Sequence, residues 1–334
     1  MAVRERDRPR ADEGCELRLT LFDGERTKRL DGLDDVPRRI GRSSLLWIDT
    51  GVPSEDDARR IAEALDLDDD AVAVLTSDGQ TNRFHDGGHF VAVTLEAPEA
   101  ESTDSVVEVD CLVGKRWVVT SHARPIGALD EFTELAEGSG AVGELDGTSF
   151  LAALVAWVLN GYERAFDHLE EELEELDEQA MRGRGVPEAH IESLVVLRRR
   201  AGRLRRALTT HRAALLALTH PELEALGDDV SGQRFQELLS SYETTIQTAR
   251  DTRASIVSSF DVVIARTGQR TNDVMKVLTL ASVILLPGSL LAGVMGMNFK
   301  VGLFAHTALF WVVLAVIAMI AVVTLAVAKA KDWI

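Results

Sequence analysis

Asn272, Met275, Thr279, Ser282, Leu286, Ser289, Gly293 and Gly296 follow one another at steps of 3, 4, 3, 4, 3, 4 and 3. That is one helix face at a period of 3.5 residues. Six of the eight positions are polar or small, with Met275 and Leu286 the bulky exceptions, while Leu, Ile and Val fill most other faces. No charged residue lies between Val277 and Met297, so no carboxylate on this stretch can strip a divalent ion of its water. Amide and hydroxyl oxygens can instead hold an ion inside its water shell. That suits Mg²⁺, which dehydrates reluctantly. The line leads into "GVMGMNF", where Gly296, Met297 and Asn298 stand in place of the Trp, Tyr or charge that ordinarily closes a lipid-spanning helix.

A polar stripe inside lipid costs free energy unless it faces protein or water. Two arrangements satisfy it. In one, the small residues let helices pack closely; in the other, the stripe lines a water-filled pore around a symmetry axis. The glycines favour packing, and Asn272, Thr279, Ser282 and Ser289 on one line favour the pore.

The elements that carry the stripe follow from hydropathy. About twenty apolar residues cross ~30 Å of hydrocarbon, and both Val277–Met297 and residues 307–328 meet that length. The join "FKVGLFAH", with the outer loop at 299–306, is too short for a domain, so the two spans form a hairpin. Arg266, Arg270 and Lys276 flank the first span and Lys329 and Lys331 follow the second, against Lys300 alone in the loop. Both termini are therefore expected in the cytoplasm, with a basic end at 329–334. No proline occurs from 222 to 286, which predicts one helix over 229–298, a stalk running into the first span. Such a helix needs oligomer partners or packing along its length.

Before the stalk, 149–219 reads as two helices, the first acidic ("FDHLEEELEELDEQ") and the second basic ("LRRRAGRLRRAL"), an antiparallel pair with complementary faces. Residues 15–145 read as an α/β domain with one sheet. Its strand-like runs lie near 17–22, 45–49, 89–97, 105–114 and 116–122, and Ser54 caps a helix. Residues 1–14 read as a disordered tail, with no apolar core for a signal peptide. Cys15 and Cys111 are too few for a disulfide framework, and Cys111 reads as core.

The formal net charge is −18, yet beyond residue 270 the chain holds four lysines and two aspartates. The acidity is thus confined to the soluble part. That argues against nucleic acid as a partner and fits a cation-attracting or merely soluble surface. "HDGGH" (85–89) reads as a turn rather than a zinc site, and "DLDDDAVAV" lacks the glycine and glutamate of a calcium loop. With no phosphate loop and no G-x-S-x-G, neither an enzyme nor a cofactor is expected.

"TNDVMKVLTLASVILLPGSLLAGVMGMNF" (271–299) resembles the signature of the CorA family of divalent-cation transport proteins. "LLWIDTGVPSEDDARRIAEALDL", the strands to "WVVTSH" and the terminal "KAKDWI" agree with that family more loosely. The resemblance implies a funnel-shaped homopentamer in the inner membrane, with α/β domains, a stalk and a two-span hairpin from each subunit. It implies that Gly296, Met297 and Asn298 form the outer mouth, with a ring of Asn298 side chains holding a hydrated cation. Asn272, Met275, Leu278, Thr279, Leu286, Ser289 and Gly293 match the family's pore-lining or gate positions. Its metal-sensing carboxylates correspond loosely to Glu99, Glu101, Asp104 and Glu237. The implied function is passage of Mg²⁺, with Co²⁺ and Ni²⁺ as further cargo, down its gradient and gated by cytoplasmic metal. Met295 stands where the family usually has tyrosine, and the outer loop lacks an acidic stretch and carries Lys300. A ZntB-like, proton-coupled Zn²⁺ transporter is therefore the alternative, although the loop is not glycine-rich as in that subgroup. A membrane-anchored sensor whose stripe only packs helices is the third reading.

Overall fold

The computed structural model describes residues 17–24, 26–76, 84–99, 102–124, 126, 146–182, 188–220, 230–297 and 307–330. The tail at 1–14, Cys15, the outer loop at 299–306 and residues 331–334 lie outside them. The chain divides into two compact units, Met1–Glu178 with Glu192–Val257 and Gln179–Ile191 with Ser258–Ile334.

In the first unit, seven strands form one sheet. They are β1 (Arg18–Asp23), β2 (Arg26–Leu30), β3 (Ser44–Thr50), β4 (Phe84–Asp86), β5 (Val91–Glu99), β6 (Ser102–Val113) and β7 (Trp117–His122). The order is β2-β1-β3-β7-β6-β5-β4, with β3 and β7 parallel and the other pairs antiparallel. Side chains alternate across the sheet. Leu46, Ile48, Leu112 and Val119 pack on Ala58 and Ile61 of α1 (Glu55–Leu65) and on Ala71 and Leu75 of α2 (Asp69–Thr76). Trp47, between Leu46 and Ile48, lies against Phe150 on the other face, with ring centroids 5.1 Å apart. Ser54 caps α1 by accepting the Asp57 N–H at 3.2 Å. The aspartates read against a calcium loop are the first turn of α2. "HDGGH" is the β4–β5 turn, with Gly88 at φ +76° and His85 Nε2 3.0 Å from Asp70.

Both sheet edges are blunted. β2 reads "RTKRL" with only Leu30 buried, and β4 has three residues.

Three helices follow: α3 (Gly147–Arg182), α4 (Glu188–Leu218) and α5 (Val230–Met295). α4 runs back along α3, bringing Arg200 Nη1 to within 2.6 Å of Glu172 and setting Tyr162 edge-on to His211. α5 runs parallel to α3: Thr245 donates to Glu163 at 3.1 Å, and one heptad later Thr252 donates to Glu170 at 2.8 Å. Glu96 of β5 is bonded to both α3 and α4. The Glu96 N–H donates to His211 Nε2 at 2.8 Å, and the Glu96 carbonyl accepts from the Tyr162 hydroxyl at 2.9 Å. His211 Nδ1 faces the Leu208 carbonyl at 3.1 Å, so the imidazole is the neutral tautomer with its proton on Nδ1.

The start of α3 docks on the β6–β7 turn, where the Gly147 N–H donates to the Lys115 carbonyl at 3.0 Å. A Cβ on Gly147 would sit 2.0 Å from the Gly114 carbonyl oxygen. Gly147→Ala is expected to cost about 1–3 kcal/mol, read as a lower thermal midpoint in detergent. Gly32→Ala, where a Cβ meets nothing within 4 Å, leaves the midpoint unchanged.

Cys111 is fully buried in β6. Burial first, then the charges of Asp110 and Asp49, pushes its thiol far above the ordinary range. It therefore stays protonated and unreactive. Iodoacetamide is expected to leave the Cys111 peptide unmodified in the native protein and to modify it after denaturation, as read by mass spectrometry.

In the second unit, the carboxyl-terminal part of α5 packs on α6 (Thr307–Ala330). Both helices are long and apolar enough to cross a membrane. On α5, Leu280, Ile284, Pro287, Gly288 and Leu291 are partly buried; on α6 the matching seam is Val313, Val316, Ile317, Ile320, Ala321, Thr324 and Ala328. A Cβ on Gly288 would lie 3.4 Å from Ile317 Cγ2, so the glycine allows close approach. α5 continues through Pro287, whose missing N–H leaves the Val283 carbonyl without its helical donor.

Candidate functional site

The polar line on α5 lies away from the seam with α6. Asn272, Met275, Thr279, Leu286, Ser289, Gly293 and Gly296 are all exposed, and Ser282 is half-buried. At 100° per residue, the line and the seam occupy roughly opposite faces of the helix. The small residues of the line therefore do not serve packing between the two spans of one chain; Gly288 does. Leu278 and Leu286 are exposed, at 61% and 68%, and Met297 is exposed in the bend that ends α5. A Cβ on Gly293 meets nothing within 4 Å, while one on Gly296 would touch the Ala292 carbonyl oxygen of its own helix at 3.3 Å. Asn298 lies outside the described residues.

Two hydroxyls on the line are oriented by the helix itself. Thr279 donates to the Met275 carbonyl at 2.7 Å, and Ser282 donates to the Leu278 carbonyl at 2.9 Å. Such back-bonding spends the hydroxyl proton inside the helix and leaves the oxygen lone pairs facing outward. Water bound to a cation points its hydrogens outward. A wall of acceptors matches that shell, whereas a wall of donors would match an anion's.

The line also continues below Asn272 toward the amino end of α5. From Gly268 back to Glu237 the steps of 3 and 4 continue without a break. Every position is Gly, Ala, Ser, Thr, Gln, Asp or Glu, and every one is exposed. Glu237, Asp251 and Asp261 place three carboxylates on it, with no lysine or arginine. The opposite face of the same helix is buried at Phe235, Tyr242, Thr245, Ala249, Thr252, Ile256, Ser259 and Val263, at the same period. The signal was present in the sequence, since the spacing does not change at Asn272. It was hidden because polar residues on a water-exposed helix need no explanation.

The four carboxylates matched to metal sensing fare differently. Glu99 accepts from Ser105 Oγ and lies 3.8 Å from Arg124, so it already has a cation partner. Glu237 is exposed on α5. Glu101 and the Asp104 side chain lie outside the described residues. No group of three or more His, Cys, Asp or Glu able to hold a metal occurs among the described residues.

The family model for CorA-like Mg²⁺ transporter protein matches residues 42–329. A cobalt/magnesium transport protein CorA of Methanocaldococcus jannaschii is 21% identical over 293 residues, covering 87% of this chain and 92% of its own. One of Thermotoga maritima is 30% identical over 193 residues, 55% of this chain and 52% of its own. The complete structure of the CorA magnesium transporter from M. jannaschii aligns at a TM-score of 0.78 with 21% identity, covering 95% of this chain and 98% of that one. The ZntB cytoplasmic domain from Vibrio parahaemolyticus aligns at 0.60 with 13% identity, covering 75% and 98%.

Proposed function

The chain belongs to the family of CorA-like Mg²⁺ transporters, and from that premise we propose that five copies enclose a pore lined by α5, through which hydrated Mg²⁺ enters the cell. At the coarser level the protein is a divalent-cation transporter with two membrane spans, not an enzyme. The observation that carries the finer reading is the line on α5. It is exposed, turned away from α6, uncharged within the span and acidic below it. In the pentamer, α6 forms the outer ring, and Gly296, Met297 and Asn298 frame the outer mouth. Asn298 amide oxygens accept hydrogen bonds from the ion's own water. Thr279, Ser282 and Ser289 repeat that chemistry further in, and Met275, Leu278 and Leu286 narrow the path as apolar constrictions. Asp261 and Asp251 lower the potential of the cytoplasmic vestibule, which favours cations over anions there. Both termini lie in the cytoplasm, and the membrane potential drives entry.

Gating is assigned to metal held between one subunit's α/β domain and the next subunit's stalk, with Glu99, Glu101, Asp104 and Glu237 as candidate ligands. Within one chain they form no ligand set. Glu99 would have to exchange Arg124 for the metal, which makes occupancy conditional on a neighbouring chain supplying carboxylates.

Uptake into liposomes tests the proposal. Mg²⁺ is expected to enter faster at an interior-negative potential and to ignore a pH gradient. Zn²⁺ uptake that requires a proton gradient, with no Mg²⁺ uptake, would replace this reading with the ZntB-like one, which the likeness to that cytoplasmic domain supports. An intact oligomer that passes no metal would leave a sensor.

A further inference from the structure

A groove of about 430 Å³ in the first unit is lined by Arg198, Arg199, Arg203, Arg205 and Arg206 of α4, with Gly202 between them, and by Arg253 of α5. Among the described residues, six guanidiniums thus share one groove with no carboxylate in its lining. The chain has 54 acidic residues against 36 basic ones, so carboxylates are not scarce. Neighbouring arginines use them: Arg200 meets Glu172 at 2.6 Å and Arg212 meets Glu243 at 3.3 Å. Arg198, Arg199, Arg206 and Arg253 make no ion pair or hydrogen bond among the described residues. Guanidiniums held together without a counter-charge repel one another, and one ligand with several anionic oxygens removes that cost for Arg198, Arg199, Arg206 and Arg253.

We propose that this groove binds a polyphosphate anion. The lining is all arginine and no lysine, the choice that suits bidentate capture of phosphate oxygens. No aromatic ring lines it, so a nucleobase has nothing to stack on and the phosphate chain alone is recognised. Contributions from both α4 and α5 make the groove a clamp between two helices rather than a solvated face of one. The ligand's charge depends on magnesium: a triphosphate carries about two fewer negative charges once Mg²⁺ is bound to it. The arginines therefore prefer the metal-free anion, which accumulates when Mg²⁺ is short. Resting on the transport reading, occupancy of the groove reports magnesium deficit to the helix that lines the pore. The binding itself does not depend on that reading.

Titration calorimetry on the full-length protein in neutral detergent, with inorganic tripolyphosphate as the probe, tests it. Binding is expected, weakened at least about tenfold when Mg²⁺ saturates the phosphates, and weakened about a hundredfold in Arg206→Ala/Arg253→Ala, at about tenfold per charge-assisted bond. Arg206→Lys/Arg253→Lys keeps the charge and is expected to retain part of the affinity, and circular dichroism checks the fold of each variant. No binding by the unaltered protein, or undiminished binding by the folded alanine variant, overturns the proposal. Binding only to nanodiscs containing phosphatidylglycerol, and not to tripolyphosphate, assigns the groove to lipid headgroups and overturns it too. So does dissociation of the oligomer by the alanine variant with no binding in the unaltered protein, which would make the groove a seam for a neighbour's carboxylates. Transport of Zn²⁺ in place of Mg²⁺ would leave the binding result standing and remove only its link to magnesium.

Discussion

Liposomes carrying the Asn298→Ala protein are expected to take up Mg²⁺ about a hundredfold more slowly than those carrying the unaltered protein. The proposed ring offers five amide oxygens to the water shell of one ion. A hydrogen bond of this kind contributes about 1 kcal/mol net. An ion that uses two or three at once loses about 2–3 kcal/mol when they are removed, and each 1.4 kcal/mol is about tenfold. Asn298→Asp is expected to fail in a different way: five carboxylates would hold the ion too tightly to release it. The readout is initial uptake at fixed potential, with oligomer size checked by light scattering. Unchanged uptake in Asn298→Ala would remove Asn298 from the ion path.

The second large effect is steric. Gly293→Leu is expected to abolish uptake while leaving the protein folded. Among the described residues of one chain, a Cβ at Gly293 has no neighbour within 4 Å. Replacing glycine by leucine in a helix even gains roughly 0.5–1 kcal/mol of intrinsic propensity. The expected loss is that of leucine side chains from neighbouring copies meeting across the proposed pore. Val294→Leu, one step round the helix and also exposed, is the control and is expected to conduct normally. Gly288→Leu separates the two roles of small residues: it collides with Ile317 across the hairpin seam and is expected to lower stability first. Normal flux through Gly293→Leu would favour a line that packs helices and lines no pore.

The membrane hairpin and long helix were legible because twenty uncharged apolar residues have few other uses and proline is missing upstream. What escaped was local. β2 has one buried residue in "RTKRL", so no alternation marks it. β4 is three residues long, and α2 is short and begins with the aspartates that drew attention as calcium ligands. The line on α5 was legible only within the apolar segment, where a polar residue is costly. Below Asn272 the same spacing is masked by water, and only the buried face opposite sets it apart. The basic helix was expected to pair with the acidic one. Arg200 does so with Glu172, but Arg198, Arg199, Arg203, Arg205 and Arg206 line a groove with Arg253 of α5, a placement that depends on which way α4 is turned and not on its composition.

The blunted edges of the sheet matter most when copies are held together. Two-dimensional confinement by the membrane spans raises the effective concentration of one α/β domain near the next toward the millimolar range. At such crowding an open strand invites a neighbour's strand, and the product would be a continuous cross-chain sheet instead of a closed ring. Arg26, Lys28 and Arg29 on β2 penalise that encounter by like-charge repulsion, and β4 offers too short a ladder to reward it. The sheet thus acts as its own insulation. Pairing of sheets between copies therefore does not compete with the proposed ring.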